Sequence, residues 1–68
     1  MTAVEREILT DAAAGLTMVE SATKRDKGLE TVKSQRRHIL IKLDARNMTH
    51  AVSIAVRDGL IERLPREG

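Results

Sequence analysis

The chain has 68 residues and a net charge of +2, from 12 basic against 10 acidic side chains, with no Cys, Phe, Tyr or Trp. A chain this short makes one domain at most and buries only about 60% of its unfolded surface; without thiols for disulfides or metal sites, pairing with a second copy is the remaining source of added stability. The absence of aromatic residues argues against stacking on single-stranded DNA or RNA, no apolar run approaches the ~20 residues of a membrane span, and Glu5, Arg6, Glu7 and Asp11 interrupt any signal-peptide pattern, so a cytosolic protein is expected.

The charge is unevenly spread. Between Lys24 and Arg46 eight bases (Lys24, Arg25, Lys27, Lys33, Arg36, Arg37, Lys42, Arg46) face three acids (Asp26, Glu30, Asp44). Residues 1–23 carry Arg6 against Glu5, Glu7, Asp11 and Glu20, and the stretch from 47 onward is balanced. A basic middle beside an acidic start is the electrostatic footprint of a polyanion binder with one working face.

Thr2-Ala3-Val4-Glu5 has the form of a capping box, and Val4, Ile8, Leu9, Ala12 and Leu16 follow at helical spacing. Gly15, with Leu16 behind it, fits a left-handed stop, so a first helix is predicted over 3–14. Thr17-Met18-Val19-Glu20 repeats the capping signature. The second helix should be short, because its apolar face is only Met18, Val19 and Ala22 before Lys24-Arg25-Asp26-Lys27. Gly28 then breaks the pattern.

The third helix is predicted over 29–43. At 100° per residue, Leu29, Val32, Arg36, Ile39 and Leu43 form an inward stripe, while Glu30, Lys33, Ser34, Arg37 and Ile41 face outward. Lys, Ser and Arg at i, i+1 and i+4 suit a helix laid in the major groove, where Lys and Arg meet guanine acceptors and phosphates. The same face also reads as a solvated basic surface, with Glu30 pairing to Lys33. A short capped helix, a Gly-containing turn and a second helix, basic outward and apolar inward, favour a helix-turn-helix.

Asn47 or Thr49 should cap a fourth helix, with Met48, Ala51, Val52, Ala55 and Val56 on one side and Gly59-Leu60 as the stop. Ile54 is expected to point the other way, beside His50 and Arg57, with Ile61 beyond the stop. The outward Ile54 reads either as a scattered surface apolar residue or as a candidate contact between copies. A single all-α domain over 1–64 with a frayed tail at 65–68 is the resulting organisation. His38 and His50 have no partner at metal spacing, so no metal site or cofactor is expected. No nucleophile–base pair, Gly-rich phosphate loop or carboxylate cluster is present, so an enzyme is not expected either.

These residues carry a resemblance. Val4-Glu5-Arg6-Glu7-Ile8-Leu9, Ala14-Gly15-Leu16-Thr17, Thr31-Val32-Lys33, Ile39, Lys42-Leu43, Arg46-Asn47, Ala51-Val52 and Gly59-Leu60-Ile61 follow in order and without gaps. The pattern resembles the LuxR-type (GerE-like) helix-turn-helix domain over residues 4–61. The resemblance implies a four-helix all-α fold that binds double-stranded DNA through the third helix. Lys33, Ser34 and Arg37 are then the base-facing residues, and Thr17 and Thr31 phosphate-facing ones. Independently of the resemblance, Arg36 on the flank of the stripe is expected to pack its stem and reach a phosphate with its head, and Lys27 and Arg46 are further backbone candidates. The resemblance further implies a homodimer through the helix at 47–58, with Ala51, Ile54, Ala55 and Asp58 as interface candidates.

The family usually carries this domain behind a receiver or ligand-sensing domain, and none is read in these 68 residues. A stand-alone transcriptional regulator is therefore expected; the early Met1 and capping box fit a natural start, and a piece trimmed from a longer chain would look similar. An interaction module that keeps the fold but binds RNA polymerase or another regulator is the alternative. Ser21, Arg25 and Lys27 stand where the family places aliphatic residues, Gln35 where a His is common, and Asp44 where a Gly is common. Either Arg25 and Lys27 turn to phosphates or helix 2 packs loosely. Burying an unpaired charge is costly, which favours a loosened helix 2.

Overall fold

A computed structural model describes residues 1–62; residues 63–68, which include the expected tail at 65–68, lie outside the described residues. Four helices follow one another: α1 (Ala3–Ala13), α2 (Met18–Arg25), α3 (Leu29–Leu43) and α4 (Met48–Arg57). No strand occurs among the described residues, and the chain is an all-α four-helix domain.

Helix starts follow the local side-chain chemistry. Thr2 and Glu5 form a reciprocal capping box on α1, as Thr17 and Glu20 do on α2. Asn47 rather than Thr49 starts α4, its side-chain oxygen accepting the His50 N–H at 2.8 Å. The His50 Nδ1 in turn accepts the Arg46 backbone N–H at 3.1 Å. That gives His50 a role in holding the turn.

Helix ends share one device. In each, a left-handed residue turns the chain and the next amide reaches back to a carbonyl five residues earlier. The residue turning left is Gly15 after α1 and Gly59 after α4. After α2 and α3 it is an aspartate, Asp26 at φ +53° and Asp44 at φ +52°. The break between α2 and α3 is thus made by Asp26, and Gly28 serves instead as the N-cap of α3 with an ordinary φ of −68°.

The core is aliphatic. Ile8, Leu9, Val32, Ile39, Ala51 and Ala55 are fully buried, with Ala22 and Ile61 nearly so. Helix α1 packs chiefly on α4 and α3, and α2 leans mainly on α3. Ile61 therefore belongs to the core and not to an outer surface. Ile54, expected to face outward, is 8% exposed. Two residues expected inside lie largely outside: Val19 is 59% exposed and Leu29, at the start of the α3 stripe, 45%.

Two carboxylates on the inner side of α1 complete the packing. Asp11 is fully buried, with four donors around it. Its Oδ2 accepts Ser21 Oγ at 2.7 Å and Arg25 Nε at 3.0 Å. Its Oδ1 accepts Arg25 Nη2 at 2.8 Å and Lys24 Nζ at 3.3 Å. Glu7 adds a looser contact to Arg25 Nη1 at 3.5 Å. Glu5, also buried, accepts Lys42 Nζ at 2.7 Å and so ties α1 to the last turn of α3.

The expectation of a loosened α2 is corrected here. It assumed that Ser21 and Arg25 would be buried without partners, whereas Asp11 supplies a buried counter-charge. Burial pushes the Asp11 carboxyl upward, but the hydrogen bonds from Arg25, Ser21 and Lys24 together hold it below the ordinary aspartate range.

Candidate nucleic-acid interface

Seven of the eight bases of the middle segment divide into two sets, and Arg36, bonded to a backbone carbonyl, belongs to neither. Lys24, Arg25 and Lys42 are spent on the carboxylates of α1. Arg57 pairs with its neighbour Asp58 at 3.0 Å. Lys27, Lys33, Arg37 and Arg46 are exposed, and their side chains enter no ion pair or hydrogen bond among the described residues.

Lys33 and Arg37 stand one turn apart on α3. Val32 and Ile39 fix the rotation of this helix, since both are completely buried and pull the opposite side toward solvent. Glu30, Lys33 and Arg37 are exposed on that side, and Ser34, half-buried, lies between the two bases. Glu30 is three residues from Lys33, yet no ion pair forms between them among the described residues. The outer face of α3 therefore presents two uncommitted cations around a small hydroxyl. Thr31 is exposed near the start of the same helix. Ile41 extends the face toward the C-terminal end and is 70% exposed.

Other expected contacts fall differently. Arg36 does not extend its head outward to a phosphate. Its Nη2 donates to the Leu16 carbonyl oxygen at 3.3 Å, and its Nε is buried. The side chain lies on the inward stripe, where the nearest acceptor offered is a loop carbonyl. Thr17 is exposed, but its hydroxyl accepts the Glu20 N–H at 3.1 Å and its own N–H donates to Glu20 Oε1 at 2.8 Å. The N-terminus of α2 thus already holds a carboxylate, which opposes a phosphate at that spot.

The expected contact between copies is corrected most. Ala51 and Ala55 are fully buried in the chain's own core, and Ile54 nearly so, leaving Asp58 as the exposed member of the four. The exposed side of α4 is polar instead, with Thr49, His50, Ser53 and Arg57. The short apolar residues chosen as contacts are those that let α4 approach α1 closely, so the fold consumes them.

Asp11 and Glu5 were missed as organising residues, although a signal was present. At 100° per residue, Glu5 falls between Ile8 and Leu9, and Asp11 beside Val4, so both acids sit on the apolar side of α1. An acid in that position requires a basic partner from another element.

Among the described residues no group of three metal-binding side chains occurs, and no helix is long and apolar enough to cross a membrane. A scan against protein-family models finds no match, and a search of curated proteins finds none either.

Proposed function

We propose that this chain is a double-stranded-DNA-binding domain of the LuxR-type helix-turn-helix kind, acting in transcription regulation. The observation that carries the reading is the outer face of α3. Lys33 and Arg37 are exposed one turn apart, unpaired among the described residues despite Glu30 nearby, on a helix whose rotation the core fixes. Side chains of this type at this spacing reach guanine O6 and N7 in the major groove, while Ser34 allows close approach. Lys27, Thr31 and Arg46 are the supporting phosphate contacts, being exposed around the same helix and the turns that flank it. The order of motifs from Val4 to Ile61 supports the family assignment. A homodimer fits the two-fold symmetry of typical operators, with the polar outer side of α4 as its contact.

Selection of bound duplexes from a random pool, followed by salt titration of the winner, tests this reading. Affinity should fall with log K decreasing by about 0.9 per phosphate contact per unit of log salt. A chain that enriches no duplex, or whose binding ignores salt, is not a DNA reader.

Ile41 favours a second reading, in which α3 binds RNA polymerase or another regulator. An exposed isoleucine beside Arg37 on one face is an anchor of the kind protein interfaces use. Replacing Ile41 by Ser would then abolish capture of the protein partner and leave duplex binding unchanged.

A further inference from the structure

Arg36 stands apart from the other charges on the inner side of the helices. Glu5, Asp11 and Arg25 each face an opposite charge. Arg36 lies on the α3 stripe between Val32 and Ile39, half-buried, and no carboxylate reaches it among the described residues. Among the described residues its one hydrogen bond runs from Nη2 to the neutral Leu16 carbonyl, and Nε is buried without a partner there. A guanidinium in poorly solvated surroundings is destabilised unless a counter-charge and acceptors are supplied.

A pocket of about 400 Å³ opens beside this side chain, between the end of α1 and the start of α4. That volume lies in the range of about 300–1,000 Å³ typical of small-molecule sites. Its lining side chains include five apolar ones (Ala12, Ala13, Leu16, Met48, Val52) beside Arg36 and Thr49, polar and apolar surface share it about equally, and no acid lines it among the described residues. One cation and one hydroxyl beside these apolar side chains match a single negative charge carrying a short apolar tail.

We propose that this pocket binds a small aliphatic carboxylate. The carboxylate accepts hydrogen bonds from the Arg36 guanidinium and the Thr49 hydroxyl, and the hydrocarbon tail rests on Ala13, Met48 and Val52. Charge-assisted bonds to a guanidinium are the strong class, and they give Arg36 the counter-charge its fold position lacks. Because the ligand touches α1, α3 and α4 together, it stabilises the folded chain by mass action. The inference stands apart from DNA binding.

The test is a titration of the ¹⁵N-labelled full chain with isobutyrate, and with isobutyramide as the neutral isostere. Saturable shifts are expected on the amides of Ala13, Leu16, Met48, Thr49 and Val52 and on Arg36 Nε–H, together with a rise in melting temperature. Isobutyramide should bind at least about tenfold more weakly, since it lacks the charge. Arg36→Met keeps the stem and should abolish the shifts; should it not fold, Thr49→Val and the isostere comparison on the parent carry the same decision. Shifts that never saturate, equal binding of the amide, or unchanged binding by Arg36→Met overturns the proposal. So does an Arg36 Nε–H that ignores isobutyrate and moves only when duplex is added, which would make a phosphate the counter-charge.

Discussion

The buried brace between α1 and α2 and the outer face of α3 draw on the same basic segment and use it in opposite ways. In the brace, one fully buried carboxylate gathers Ser21, Lys24 and Arg25, so the positive charge is neutralised where it lies. On α3, Lys33 and Arg37 are exposed and their side chains enter no ion pair among the described residues. Net charge by segment does not separate these cases. What separates them is whether an acid sits on the inner side of a neighbouring helix at matching height. A lysine or arginine count overstates the surface open to a polyanion by every base that the fold has already paired.

Substitution of Asp11 should give the largest effect. Asp11→Ala leaves Arg25 and Ser21 facing each other without the carboxylate, and a loss of about 3 kcal/mol in urea unfolding is expected. In a domain this small that is a large share of the total. Replacing the pair together, as Asp11→Leu with Arg25→Met, should recover most of the loss, because an apolar pair carries no desolvation cost. If Asp11→Ala unfolds like the parent, the brace contributes nothing to holding α2.

The α3 face should show the reverse pattern. Lys33→Ala and Arg37→Ala are each expected to weaken binding to a selected duplex by about 1–3 kcal/mol, with unfolding unchanged. Anisotropy titrations beside melting curves would check both halves of that statement. Variants that bind as tightly as the parent would reduce the face to a solvated surface.

A smaller effect should follow from Glu5. The hydrogen bond from Lys42, with that from the Thr2 backbone, lowers its carboxyl from the ordinary 4.5 to about 2. A depressed folded-state value contributes stability that is complete above the unfolded value near 4.5 and is lost as pH falls toward 2. Lys42 remains about half exposed, so water screens the pair and limits its contribution. Glu5→Gln should flatten this limb of the pH–stability curve without removing the part due to Asp11. An unaltered limb would show that the pair does not matter to folding.

The smallest change expected is at the helix ends. Asp44 holds a left-handed backbone and places a negative charge at the C-terminus of α3. Asp44→Gly relieves both and should stabilise the chain by about 0.5–1 kcal/mol in thermal unfolding. A destabilised glycine variant would mean that the aspartate makes a favourable local contact that outweighs them.

Much of this architecture was legible along the chain because it is local. The capping boxes at Thr2 and Thr17, the glycine stops at Gly15 and Gly59, and the full span of α3 depend on residues within five positions of one another. The outward placement of Lys33 and Arg37 is equally local, since rotation of α3 follows from Val32 and Ile39. Ile54 and the head of Arg36 fall elsewhere than expected for the opposite reason, although the period did set the Arg36 stem on the inward side. A periodicity assigns a face to a residue but cannot say whether another element covers that face. Ile54 is covered in the folded chain, and Arg36 turns its head to a carbonyl contributed from twenty residues away.

By itself, then, the amino-acid sequence determined four helices, the capping boxes of the first two, the glycine stops of the first and last, and a basic outer face on the third, because each follows from backbone hydrogen bonding and helical period over short distances. Tertiary structure alone decided which charges remain available. Asp11 meets Arg25 across fourteen positions and Glu5 meets Lys42 across thirty-seven. Such pairs form only when packing brings two helices together, and no pattern read along one helix contains that distance.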